Sequence, residues 1–398
     1  MSNQTVSNHL MNTYSRQPVT FAKGDGVWLW DTQGEKYLDA LAGIAVNGLG
    51  HAHPALVKAI NTQAAKLIHV SNIYNIAEQA ALADKLCEIS KMDKVFFCNS
   101  GCEANEAAIK LARLYGHNKG VENPEIIVMD KSFHGRTMAT LSATGNRKVQ
   151  AGFEPLVSGF VRVPYDDIEA VKNIASRKNN VVAILVEPVQ GEGGVNIPKD
   201  ASGYLENLRE ICDANGWLLM LDEVQTGIGR TGTWFAFQHA KIIPDVMSLA
   251  KGLGSGVPIG ACVARGDAAE VFTYGKHGST FGGNPLAAAA GLATLNTIEQ
   301  EKLRENAAKI GDLIRELFVN ELKETKGFVA ARNAGLMIGI ELDRPCSELV
   351  PMALEAKLLI NVTADKVVRL LPPLVMNEDE ARELVKRLAA LIKIFLLK

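Results

Sequence analysis

Cysteine is sparse in this 398-residue chain, and Cys87, Cys98, Cys102, Cys212, Cys262 and Cys346 include no C-x-x-C pair. That argues against a disulfide framework and favours a reducing compartment. Cys98 and Cys102 lie closest together, but the nearest histidines, His117 and His134, lack zinc-finger spacing, so no metal site is expected. Neither sign of charge is in excess. The formal net charge of −2 gives nucleic acid or an anionic membrane no electrostatic reason to bind. No apolar run approaches the roughly 18 residues needed to span a bilayer. Met1 to Gln17 is polar and has no signal-peptide core. The cytoplasm is the expected location. A dinucleotide oxidoreductase is disfavoured, because no G-x-G-x-x-G follows the first predicted strands. There is no internal repeat and no low-complexity tract.

What is present is an ordinary globular composition, 47% hydrophobic and 22% charged, long enough for two or three domains or one large and one small. Short, continuously apolar runs recur at Val95–Cys98, Ile126–Met129, Val181–Val186, Trp217–Leu221, Val246–Ala250 and Ile259–Ala264. Continuous rather than alternating hydrophobicity predicts strands covered on both faces, hence an α/β fold with a mostly parallel sheet wrapped by helices. Amphipathic helices are predicted over Glu103–Tyr115 and Gly203–Asn215. From Pro285 the pattern becomes helical through Leu322. Strands at Leu336–Leu342 and Val367–Leu371 follow, then a last helix opening near Asn377. The strand-and-turn signature at Val27–Gly34 is expected to join this smaller α+β unit. The expected division is therefore 1–65 with the small domain, 66–290 as the large domain and 291–398 as the rest of the small one.

Chemistry-bearing residues cluster where predicted strands stop, the edge at which open parallel sheets bind ligands. Lys251 ends one apolar run and Asp222 another, about thirty residues apart on a βα spacing. An amine and a carboxylate so placed suit pyridoxal phosphate, one linking to the aldehyde and the other keeping the pyridine nitrogen protonated. A solvated strand-end lysine and a helix-capping aspartate are the plainer alternatives. Ser100, Gly101 and Cys102 open a helix and could present hydroxyl and N–H groups to a phosphate, or merely cap it. Phe133 could stack on a ring, Arg136 could take a carboxylate, and Gln225 could bond a ring oxygen. Glu192 lies in a glycine-rich loop, while Ser279 and Thr280 lie in another loop suited to a phosphate contact or a simple turn. Arg369 sits inside an apolar strand, where its charge demands an anion; a substrate carboxylate and Glu192 are the two candidates.

Taken together, Ser100-Gly101-Cys102-Glu103-Ala104-Asn105-Glu106, Phe133-His134-Gly135-Arg136-Thr137, Leu221 to Gly227, Ala250-Lys251-Gly252 and Gly278 to Pro285 resemble the class III pyridoxal-phosphate aminotransferases, in that family's order and nearly end to end. Gly43 to Asn47, Leu49 to Pro54 and Ser71 to Tyr74 are similar to the branch acting on acetylated ornithine. The resemblance implies a fold-type I homodimer with shared active sites and a seven-stranded sheet. It implies phosphate contacts from Ser100, Gly101 and Cys102, ring stacking by Phe133, and Thr280 reaching the opposite subunit. Asp222 and Gln225 would serve the pyridine and Lys251 the aldehyde. Ser279 and Arg136 would meet the donor, whose α-carboxylate Arg136 binds, and Arg369 the glutamate α-carboxylate, masked by Glu192 between turnovers. Cys102 departs from the family's more usual threonine. Succinylornithine, ornithine and succinyl-diaminopimelate remain alternative donors. An aminomutase or decarboxylating transaminase on the same scaffold, or a binding protein, is the alternative class.

Overall fold

The computed structural model describes residues 9–398. The chain enters through an antiparallel meander of β1 (Phe21–Asp25), β2 (Trp28–Asp31) and β3 (Lys36–Asp39). The connection from β1 to β2 is tight enough to need Gly26 at φ +54°. Seven strands then build the central sheet: β4 (Lys94–Cys98), β5 (Glu125–Met129), β6 (Phe160–Val163), β7 (Val181–Val186), β8 (Leu218–Asp222), β9 (Val246–Leu249) and β10 (Gly260–Ala264). Their order is β4-β10-β9-β8-β7-β5-β6, and β10 alone runs antiparallel to its neighbours. The expected α/β architecture and mostly parallel sheet are thus observed.

The continuous apolar runs have the physical meaning assigned to them. Every residue of β7, β8, β9 and β10 is buried, because helices cover both faces. Each such Val, Leu or Ile contributes about 1.5–3 kcal/mol relative to exposure. The helix Gly101–Asn118 lies close on the sheet through Ala104, Ala107, Ala108 and Ala112, all buried and too small to hold it away.

A second sheet is formed by β11 (Phe328–Ala334), β12 (Met337–Leu342), β14 (Asn361–Thr363) and β15 (Val367–Leu370), while β13 (Leu358–Leu359) pairs in parallel with β3. The first strands of the chain therefore share a sheet with a late one. The last helix, Glu378–Leu396, starts at the expected place. Asn377 caps the amide of Glu380, and the Glu380 carboxylate accepts from the amide of Asn377.

Several elements differ from expectation. β6 was not foreseen, since four residues with Arg162 among them make a weak edge-strand signal. Nor was β11, half exposed and carrying Arg332 and Asn333, although it pairs along β12. The helical stretch from Pro285 is two helices, Pro285–Gln300 and Leu303–Leu322, broken where Lys302 turns left-handed at φ +55°. Among the described residues no helix is long and apolar enough to cross a membrane.

Candidate active site

The carboxyl ends of β4, β5, β7, β8 and β9 open on one edge of the sheet. Because β10 runs the other way, its leading residues Gly256 to Ile259 reach that edge too. There lies a cavity of about 400 Å³. Nine of the expected site residues line it: Ser100, Gly101, Cys102, Phe133, Arg136, Glu192, Asp222, Gln225 and Lys251. Sequence segments more than 100 residues apart converge because the parallel strands present all their successor loops at one edge.

Lys251 follows β9 with φ +45°, a left-handed backbone that costs a non-glycine residue on the order of 1–2 kcal/mol. Its side chain lines the cavity. Burial, and after it the positive charge of Arg369, lowers the Lys251 pKa below the ordinary 10.5. Asp222 closes β8 and is 4% exposed. Its Oδ2 accepts from Nδ1 of His134 at 2.8 Å and Nδ2 of Asn105 at 2.8 Å, and its Oδ1 accepts from the amide of Val224 at 3.1 Å. Three donors hold the carboxylate in one orientation.

Ser100 caps the helix Gly101–Asn118 by accepting from the amide of Glu103 at 3.2 Å, while the Glu103 carboxylate returns to the amide of Asn99 at 2.6 Å. The capping reading of this motif is therefore correct as far as it goes. It leaves the first-turn amides of Gly101 and Cys102 without an intrahelical acceptor, at the positive end of the helix and on the cavity wall. Gly101 is required for a second reason. A Cβ there would lie 2.6 Å from Cγ1 of Val224. The Cys102 sulfur accepts from the amides of Arg136 and Thr137, each at 3.3 Å, which ties the helix start to the Phe133 loop.

Phe133 is half-buried, with the Arg136 guanidinium 5.8 Å from its ring centroid. Arg369 does not line the cavity directly. It is wholly buried in β15, donating from Nη1 to Glu192 Oε1 at 2.7 Å and to Gln225 Oε1 at 3.3 Å, and from Nε to Asn361 Oδ1 at 3.2 Å. Its Nη2 is buried with no acceptor, an arrangement suited to an incoming carboxylate. Ser279 and Thr280 likewise do not line the cavity of the single chain. Ser279 bonds instead to Asn99 and the amide of Gly282, and Thr280 is exposed.

Three further residues shape the site without having been assigned a role from the sequence. Glu187, at the end of β7, accepts from the amides of Phe133 at 2.9 Å and Gly191 at 3.1 Å, binding together the loops that carry Phe133 and Glu192. Burial pushes its pKa up to about 7, opposed by His134. His134 and Asn105 orient Asp222. His134 lies in a motif already singled out, but only the fold shows where its ring points.

The family model for class III aminotransferases matches residues 10–392. The acetylornithine aminotransferase of Nitrosomonas europaea is 64% identical over 389 residues, covering 98% of each chain. That of Caldanaerobacter subterraneus is 50% identical over 94% of this chain and 95% of its own. Among solved structures, the ornithine aminotransferase of Toxoplasma gondii superposes with a TM-score of 0.94 at 33% identity, covering 98% of this chain and 94% of that one. The acetylornithine aminotransferase of Elizabethkingia anophelis superposes at 0.86 and 36% identity, covering 96% of both. The chain belongs to the class III aminotransferases.

Proposed function

We propose that this protein moves the terminal amino group of N2-acetyl-L-ornithine to 2-oxoglutarate, using pyridoxal 5'-phosphate, and so forms N-acetyl-L-glutamate 5-semialdehyde and L-glutamate. The observation that carries the reading is Arg369: a buried guanidinium with an open Nη2 and a displaceable acid partner, Glu192. Two substrates with different ends need a carboxylate site that can be masked and unmasked. The name shared by relatives at 50–64% identity supports the donor.

The residues present fit the cofactor. The open amides of Gly101 and Cys102 and the hydroxyl of Ser100 suit its phosphate, Phe133 its ring face, Gln225 its ring oxygen and Asp222 its ring nitrogen. Bound there, the cofactor would supply an aldehyde for the amino group and an electron-withdrawing ring for the electron pair of the broken C–H bond. Lys251, whose pKa burial lowers, is placed to remove the proton from the amino-bearing carbon through its Nζ. Arg136 binds the α-carboxylate of the donor at the cavity mouth. Glu192 stays on Arg369 during that half-reaction and yields to the α-carboxylate of 2-oxoglutarate in the next. An aminomutase, which acts on a single substrate, would have no use for this exchange.

We also infer a homodimer in which Ser279 and Thr280 serve the neighbouring subunit, supported by their absence from the lining of their own cavity and by the exposed apolar residues Ile73, Tyr74 and Phe281 nearby in the fold. The division at about 65 and 290 rests on the β3–β13 pairing. Its second boundary falls inside the helix Pro285–Gln300, which joins the two units without a break.

The test is a panel of ω-amino donors scored by kcat/KM with 2-oxoglutarate as acceptor. Acetylornithine should lead, and free ornithine preferred over its N-acyl forms would overturn the assignment. Lys251→Ala should lower turnover by about 1,000-fold or more, and repeated turnover by that variant in both half-reactions would remove Lys251 from its role.

A further inference from the structure

Glu192 lines two cavities. One is the active site. The other, about 480 Å³, opens behind the Phe133 and Glu192 loops between the central sheet and the β12–β15 region. Its wall carries five cations, Lys131, Arg147, Lys148, Arg332 and Lys366. Three of them are already matched: Arg332 and Lys366 both meet Glu341 at 2.8 Å, and Lys148 meets Asp365 at 3.5 Å. Among the described residues Lys131 and Arg147 pair with no acid.

The backbone beneath Glu192 is held from several sides. Glu187 accepts the amide of Gly191 at 3.1 Å, the hydroxyl of Thr363 donates to the carbonyl of Glu192, and Arg332 donates to the carbonyls of Gly194 at 2.6 Å and Val195 at 2.7 Å. A loop so tied does not swing away as a body. When a substrate carboxylate takes Arg369, the Glu192 carboxylate must leave by rotation of its own side chain, and the cationic cavity, which it already lines, is a space that it can turn into.

The backbone of Lys131 is also held in place, with its side chain exposed to the cavity. It follows β5 with φ +61°. Its amide bonds the carbonyl of Gly145, and its own carbonyl is close enough to Gly193 that a Cβ there would approach to 2.8 Å. A Lys131 anchored against the Glu192 loop, with Arg147 across the same space, provides a counter-charge for the displaced acid.

We propose that Lys131 and Arg147 are positioning residues for the exchange at Arg369: they form a receiving site for the Glu192 carboxylate and so lower the cost of unmasking Arg369 for a dicarboxylate substrate. The proposal rests on the Arg369–Glu192 exchange described under the proposed function. Neither cation touches the reacting atoms.

The experiment is a double-mutant cycle on the PLP-loaded enzyme with Lys131→Met plus Arg147→Met and Glu192→Gln, read by the KM of each half-reaction and by calorimetric Kd for glutarate, an unreactive dicarboxylate. The cation-free variant should raise the 2-oxoglutarate KM and the glutarate Kd about three- to five-fold, the effect of a partly exposed ion pair. The acetylornithine half-reaction should keep its kcat and KM. In the Glu192→Gln background the same substitutions should change neither dicarboxylate value, because no carboxylate remains to be received. An equal rise in that background would mean that the cations attract the substrate itself, and would overturn the proposal; so would no rise in either background. Should Glu192→Gln alone leave dicarboxylate affinity unchanged, the exchange reading fails first, independently of the cations.

Discussion

Arg369 Nη1 and Glu192 Oε1 stand 2.7 Å apart, yet the arginine side chain is fully buried while that of the glutamate is 37% exposed. The asymmetry suits the tasks proposed for them. A buried guanidinium cannot leave, whereas its partner has solvent on one side and can. Replacing the fork with a point charge should therefore damage recognition rather than the chemical step. Arg369→Lys should raise the 2-oxoglutarate KM about 10- to 100-fold, the loss of a charge-assisted bidentate contact, with little change in the acetylornithine half-reaction. Stopped-flow measurement of the two half-reactions separates them, and equal damage to both would contradict the assignment.

His134 acts at one remove, through its 2.8 Å bond to Asp222. His134→Phe keeps the ring volume and removes the donor, and a hydrogen bond to a charged acceptor contributes roughly 1.5–3 kcal/mol. Part of that should appear as a cofactor Kd about tenfold weaker, measured by titrating the apoenzyme. An unchanged Kd would show that Asn105 and Val224 suffice to orient Asp222.

Glu223 is buried beside the site and accepts from the amides of Ala236 and Phe237, each at 2.9 Å, and from the Thr226 hydroxyl. Burial raises its pKa to about 7 from 4.5. Between those values the folded protein holds a proton that the unfolded chain has released, so this stabilising contribution is full below pH 4.5 and lost as pH rises through 7. Denaturant titrations from pH 5 to 8 should show stability declining by on the order of 3 kcal/mol from this group. Glu223→Gln should reduce that slope and cost about 2 kcal/mol at pH 5, because its amide faces donors. An undiminished slope would place the titration elsewhere.

Gly101→Ala should destabilise the protein by about 1–3 kcal/mol through overpacking against Val224 and weaken phosphate retention. Adding Val224→Ala should recover most of the stability. Failure of that rescue would mean that the clash with Val224 is not the reason for glycine there.

Much of the large domain was legible because its signal is local. A strand covered on both faces must be apolar at every position, and Val181–Val186 and Leu218–Leu221 say so without help from the rest of the chain. Lys251 and Asp222 stood out because polar groups abruptly ended such runs. β6 and β11 were missed for the complementary reason: half-exposed strands with Arg162, Arg332 or Asn333 among them carry little periodic contrast. The break at Lys302 was missed because the apolar stripe resumes on its far side.

Composition and pattern alone determined the α/β class, the strands at whose ends the chemistry would lie, and the residue types available to hold a phosphate, a ring and a carboxylate. Tertiary structure decided that residues 105, 134 and 222 form one hydrogen-bonded group, that Arg369 meets Glu192 and Gln225, and that a cationic cavity lies behind the Glu192 loop. The reason is range. Strand and helix signals arise from neighbours a few residues apart, whereas the partner of a buried charge is chosen by sheet order and loop packing across more than a hundred residues, where a one-dimensional pattern carries no record of distance.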